Sequence, residues 1–154
     1  MIREASLMDV EALILLGHEM HFESRFRSFD YNDHKLRKLI PALIKSNDCL
    51  VLVGGEPIQG FFIATCSRMW FGNDLESGDL AFYVKRESRG GSLGIKLLSA
   101  YVEWAKKMGV VDIKMEPGTD IKQGPMNEFF KHRGFIQVGS KFILKENESC
   151  AEAD

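Results

Sequence analysis

The sequence predicts an α/β chain, an α+β mixed sheet flanked by helices. Two observations predict it: the middle of the chain is rich in strand signals, and its last third reads strand, helix, strand, helix, strand. A third observation sets the scale. The chain has 154 residues, 45% hydrophobic and 27% charged, with 20 Lys+Arg against 22 Asp+Glu. That composition describes one soluble domain able to close its own core without disulfide or metal. We place the domain at residues 1–144 and an acidic, flexible tail at 145–154, KENESCAEAD.

Residues 2–5 make a short first strand, after which Ser6 is placed to cap a helical start. The helix that follows carries Val10, Leu13, Ile14 and Leu16 as an apolar stripe. The polar run His18, Glu19, His21, Glu23 marks where the stripe meets solvent or a cleft. Asn32 or Asp33 caps a second helix through Leu36, Leu39, Ile40, Leu43 and Ile44, which Pro41 is expected to kink or break. Residues 49–53 and 58–69, joined by Gly-Gly-Glu-Pro, form a hairpin. Residues 79–84 (DLAFYV) form a third strand beyond the turn-rich stretch GNDLESG. The strongest helix spans 92–108, with Leu93, Leu97, Tyr101 and Ala105 in one row and Gly109 as its terminator. A strand at 111–115, a short helix at 125–132 and a closing strand at 135–144 complete the order.

Several function classes drop out. The body is electrostatically balanced, so it lacks the broad basic footprint of a non-specific nucleic-acid binder. No stretch approaches the roughly 18 apolar residues of a membrane span, and MIREASLMDV lacks a signal-peptide pattern. Cys49, Cys66 and Cys150 match no metal-ligand spacing and fit a reducing, cytoplasmic setting. His18 and His21 stand three apart with no third ligand indicated, so no metal site is expected.

The most informative segment is VKRESRGGSLG, residues 84–94, between a strand and a helix. Gly90, Gly91 and Gly94 permit a tight turn and close approach of another group. The helix beginning near Ser92 points unpaired amides and the positive end of its dipole into that turn. Lys85, Arg86 and Arg89 add charge, so the turn suits a phosphate or pyrophosphate. A P-loop is excluded because Ile95 follows Gly94, and a dinucleotide fingerprint would need glycine where Ser92 stands. Residues 90–94 also match GxSxG, the nucleophile elbow of serine hydrolases, with Asp120 and His132 following in triad order. Against that, the residues KRESR separate Val84 from Gly90, whereas an elbow turns directly off its strand.

The segment from Arg89 to Leu98, following Phe82-Tyr83-Val84, resembles motif A of the GNAT N-acetyltransferase superfamily, whose signature is Q/R-x-x-G-x-G/A. Ser92 replaces the signature's middle glycine. Downstream, NEFFKHRGF at 127–135 is similar to the family's motif B. The resemblance implies a splayed central sheet and transfer of an acetyl group from acetyl-CoA to a primary amine by direct attack in a ternary complex. It implies that Phe82, Tyr83 and Val84 meet the pantetheine through their main chain. Arg89, Gly90, Gly91, Ser92, Leu93 and Gly94 would cradle the phosphates, while Asn127 and Phe130 line the thioester end. It implies a carboxylate near the start of the central strand, Asp79 or else Glu76, as the base acting on the amine. Where the family often has an acidic tyrosine this chain has Phe130, leaving Tyr83, Tyr31 or water to protonate the thiolate. Two alternatives stay open: an acetyl-CoA-binding sensor of weak activity, and a serine hydrolase using Ser92. Small members of the family often pair as homodimers, although no residue here requires it.

Overall fold

The two periodicities in the sequence are sorted onto two faces of one sheet in the computed structural model, which describes residues 1–145. The chain divides into two compact units, Met1–Ile121 and the part from Lys122 onward. In the first unit β1 (Ile2–Glu4) leads through a 3-10 turn (Leu7–Asp9) into α1 (Val10–Glu23) and α2 (Asp33–Lys45). Then come β2 (Cys49–Gly54), β3 (Gly60–Arg68), β4 (Leu75–Val84), α3 (Leu93–Lys107) and β5 (Val110–Ile113). The five strands form one sheet in the order β1-β2-β3-β4-β5. It is mixed, because β1 to β4 pair antiparallel and β4 pairs parallel with β5.

Alternation along the strands assigns the two layers. Val51, Val53, Phe61, Ile63 and Tyr83 share a core with Val10, Leu13, Ile14 and Leu16 of α1 and Ile40 of α2. The intervening residues Leu50, Leu52 and Phe62 are buried on the opposite face, where α3 contributes Leu97, Leu98, Tyr101 and Ala105. The Phe62 and Tyr101 rings stack there at 4.7 Å between centroids. Each large side chain so buried contributes roughly 1.5–3 kcal/mol.

Local signals set the element ends. Ser6 and Asp9 form a reciprocal capping box on the 3-10 turn. Asn32 caps α2 by accepting from Lys35 N–H, and Gly109 ends α3 with φ +79°. One expectation is narrowed and one is corrected. α2 runs through Pro41 without a break, so tertiary packing of Ile40 outweighs the one lost backbone bond. The closing strand expected at 135–144 is absent: residues 134–145 hold no strand. A strand exists only against a row of partner donors and acceptors, and no described strand pairs with this segment.

In the second unit α4 (Gln123–His132) ends at Gly134, φ +90°. Phe130 packs edge-on to Phe129 and Phe135.

Candidate functional site

The decisive feature is the way β4 leaves its neighbour. Pairing with β3 runs the whole length of β4, from Leu75 opposite Arg68 to Val84 opposite Gly60. Pairing with β5 covers only Leu75, Glu76 and Ser77, opposite Val110, Asp112 and Ile113. One further bond, Lys114 N–H to Ser77 C=O at 2.9 Å, closes the ladder, and the two chains then part. Just past the fork β4 carries a bulge, in which Asp79 faces Ala64 and Ala81 faces Ile63, leaving Leu80 as the extra residue. Bulges bend a strand and increase its twist, which carries the end of β4 away from β5.

Tyr101 of α3 braces the fork. Its hydroxyl donates to Lys114 C=O at 3.0 Å and shares a 2.9 Å bond with Ser77 Oγ, so one buried group ties α3, β4 and the end of β5. Burial pushes its phenol up to about 12. The two carboxylates expected from sequence flank this point. Glu76 Oε2 lies 2.6 Å from Lys114 Nζ, and Asp79 Oδ1 accepts the Glu116 N–H at 2.7 Å. Glu76 therefore lies within the paired stretch, already ion-paired, and Asp79 two residues past its last rung.

At the other end of β4 the chain makes a 3-10 turn (Arg86–Ser88) and then the glycine turn. Gly90 adopts φ +83°, a conformation that favours glycine, although space for a Cβ is open. Ser92 is the N-cap of α3 and makes no side-chain cap bond. The first intrahelical bond runs from Lys96 N–H to Ser92 C=O at 2.9 Å. The amides of Leu93, Gly94 and Ile95 thus lack intrahelical acceptors, an arrangement that, with the helix dipole, is able to hold an anion. Leu93 anchors this end by packing over two glycines that pair across the hairpin. A Cβ on Gly54 would lie 2.6 Å from Leu93 Cδ1, and one on Gly60 would lie 3.3 Å from Leu93 Cδ2. The hydrolase elbow is not formed, because Ser92 follows the 3-10 turn and the glycine turn instead of the strand itself.

The cations of the turn all have carboxylate partners. Arg89 donates from Nε to Val84 C=O at 2.9 Å and from Nη2 to Glu23 Oε1 at 3.0 Å. Tyr83, buried, donates to the same Glu23 oxygen at 2.5 Å, and Arg86 lies 3.7 Å from the other. Burial pushes the Glu23 carboxyl up, but the bonds from Arg89 and Tyr83 and the nearby guanidinium charges outweigh it, so it lies below its usual range. Burial, and then the bond to Glu23, raise the Tyr83 phenol well above its ordinary value. Lys85 pairs with Glu19 at 3.3 Å and Glu87 at 3.7 Å. Two residues past the end of α1, Arg25 N–H donates to Thr119 C=O and Arg25 Nε to Gly118 C=O, both at 2.9 Å.

Sequence reasoning located the glycine turn and both fork carboxylates but not the partnership of Glu23 with Arg89 and Tyr83. Its only signal was the helical spacing that puts Glu19 and Glu23 on one face of α1. The histidines belong to a separate cluster, in which His18 Nε2 lies 2.7 Å from Asp33 Oδ1 and its ring 4.0 Å from that of Tyr31. Among the described residues no group of His, Cys, Asp and Glu could hold a metal ion. No described helix is long and apolar enough to cross a membrane. In the second unit Asn127 Oδ1 accepts from Gln123 Nε2 at 3.0 Å, and Phe130 packs in its aromatic cluster.

No family model and no curated protein matches this chain. Solved structures do. A ribosomal-protein-alanine N-acetyltransferase from Brucella melitensis biovar Abortus 2308 superposes with a TM-score of 0.71 at 12% identity, covering 95% of this chain and 99% of that one. An aminoglycoside acetyltransferase from an uncultured soil metagenomic sample gives 0.70 at 14% identity, with 96% of each chain covered. The chain has the acetyltransferase fold. That fold is shared with a transcriptional regulator from Bacillus halodurans C-125, TM-score 0.77 and 19% identity over 95% of this chain and 99% of that one. Within the acetyltransferase fold, reaction and acceptor are decided by the site's own residues.

Proposed function

We propose that this protein is an N-acetyltransferase that moves the acetyl group of acetyl-CoA to a primary amine by direct attack within a ternary complex. The observation that carries the reading is the parting of β4 from β5 after Ser77, beside a glycine turn that presents the first amides of α3. A parted strand edge suits the amides of a pantetheine arm, and a helix start suits its diphosphate. The acetyltransferases that share the fold support the same reading.

In this reading the main chain of Phe82, Tyr83 and Val84 guides the pantetheine, although Val84 C=O is already engaged by Arg89. The turn from Arg89 through Gly90, Gly91, Ser92 and Leu93 to Gly94 forms the cradle, with the amides at the start of α3 facing the phosphates. Asn127 and Phe130 are assigned to the thioester end by resemblance to motif B. The amine nitrogen attacks the thioester carbonyl carbon. Its proton passes through water to Asp79, the carboxylate just past the fork, with Glu76 as the nearby substitute. As the carbon–sulfur bond breaks, the thiolate needs a proton. The Tyr83 hydroxyl donates to Glu23 and Phe130 has no proton to give, so we assign this step to water.

A second reading, a coenzyme-binding module without turnover, is favoured by Phe130 standing where the family often has an acidic tyrosine. Thermal shift with acetyl-CoA, followed by thiol release with a panel of amines, decides. Stabilisation with thiol release supports the enzyme, stabilisation alone supports the module, and no stabilisation overturns both.

A further inference from the structure

The charge cluster between α1 and the glycine turn gives Arg89 a different task from the one its position in the motif suggests. Its Nε is committed to Val84 C=O and its Nη2 to Glu23 Oε1, while Nη1, buried and without a hydrogen-bond partner, lies 2.9 Å from Glu23 Oε2 as an ion pair. The guanidinium also lies over the Tyr83 ring, 5.3 Å from its centroid. A guanidinium presents its donors in one plane, and here the donor edge already faces a carboxylate only 15% exposed. Around it Lys85, Arg86 and Arg89 are matched by Glu19, Glu23 and Glu87, so the cluster is neutral as a whole. Just past the end of α1, Arg25 is also tied to the carbonyls of Gly118 and Thr119.

We propose that Arg89 is a positioning residue: with Glu23 it clamps the glycine turn to β4 and α1, and a bound diphosphate is held by the backbone amides of the turn. The diphosphate part rests on the acetyl-CoA reading; the clamp does not. If Arg89 instead bound phosphate directly, Glu23 would compete with the ligand, so the two roles predict opposite signs for Glu23→Gln.

The test is calorimetry with coenzyme A on the wild type, Arg89→Met, Glu23→Gln and the double variant. A clamp predicts that each single change weakens binding about tenfold, the loss of a charged hydrogen bond. The double variant should then be no worse than the weaker single one, as coupled partners are. The salt dependence of binding should be the same in Arg89→Met as in the wild type, and Arg89→Lys, which keeps the charge but not the fork, should bind as poorly as Arg89→Met. Tighter binding by Glu23→Gln, or wild-type affinity in Arg89→Lys, overturns the proposal. If the wild type itself ignores coenzyme A, the acetyl-CoA reading falls and hydrogen exchange of the unliganded protein decides the clamp. Faster exchange at residues 86–96 in both single variants upholds it, and unchanged exchange there sinks it.

Discussion

Single residues carry more of this structure than their types announce. A Cβ on Gly17 would stand 2.1 Å from the Tyr31 hydroxyl oxygen, which donates to Ile14 C=O at 2.8 Å. Gly17→Ala should therefore destabilise the protein by about 1–3 kcal/mol, the usual cost of overpacking. Adding Tyr31→Phe removes the clashing oxygen and leaves the next ring atom 3.3 Å away, so the double variant should unfold at higher denaturant than Gly17→Ala alone. Asp9 gives a pH prediction. The hydrogen bonds from Arg3, at 2.7 and 2.8 Å, hold its carboxyl far below the usual carboxylate range. A depressed native pKa stabilises the fold above the unfolded value, about 3.9, and that contribution fades as pH falls below it. Asp9→Asn should thus cost stability at pH 7, and the gap from the wild type should narrow in melts taken below about pH 4. The Ser6 cap was legible because it is local; Arg3 as partner of Asp9 was not, since it required β1 to be placed first.

At the scale of elements, legibility followed the strength of the local pattern. The α1 stripe, the hairpin and α3 with its glycine stop all follow from spacing, and the structure holds them within a few residues. The first half of β4 did not. LESG reads as turn because its residues are polar or small, yet it is strand, since both neighbours supply hydrogen bonds there. Phe135 to Leu144 failed in the opposite way, because alternation without a partner strand is not a strand. The fork is where such tertiary effects dominate, and its brace can be tested. Tyr101→Phe would strip Lys114 C=O and Ser77 Oγ of a buried partner, which typically costs about 1–3 kcal/mol. Chemical denaturation should show that loss, and the Lys114 amide, whose bond to Ser77 C=O is the last rung of the ladder, should exchange faster.

For the molecule as a whole, the glycine turn at the start of α3 was legible because glycines, a helix start and clustered cations lie within one short segment. The rest of the site depends on pairs such as Glu23 with Arg89 and Asp79 with the Glu116 amide, far apart in sequence, which no local pattern encodes. Position, more than residue type, separates the two fork carboxylates. Glu76 is neutralised by Lys114 within the paired stretch, while Asp79 stands where β4 has left β5. If Asp79 takes the amine proton, Asp79→Asn should lower kcat by on the order of 10²–10⁴ while coenzyme A affinity by calorimetry stays near wild type, because the cradle lies at the other end of β4. The loss should ease as pH rises and more of the acceptor amine arrives already deprotonated. Glu76→Gln should instead act mainly through stability, by leaving Lys114 without its partner. Equal kinetic losses from both changes, or an Asp79→Asn enzyme whose loss is the same at every pH, would assign the proton transfer elsewhere.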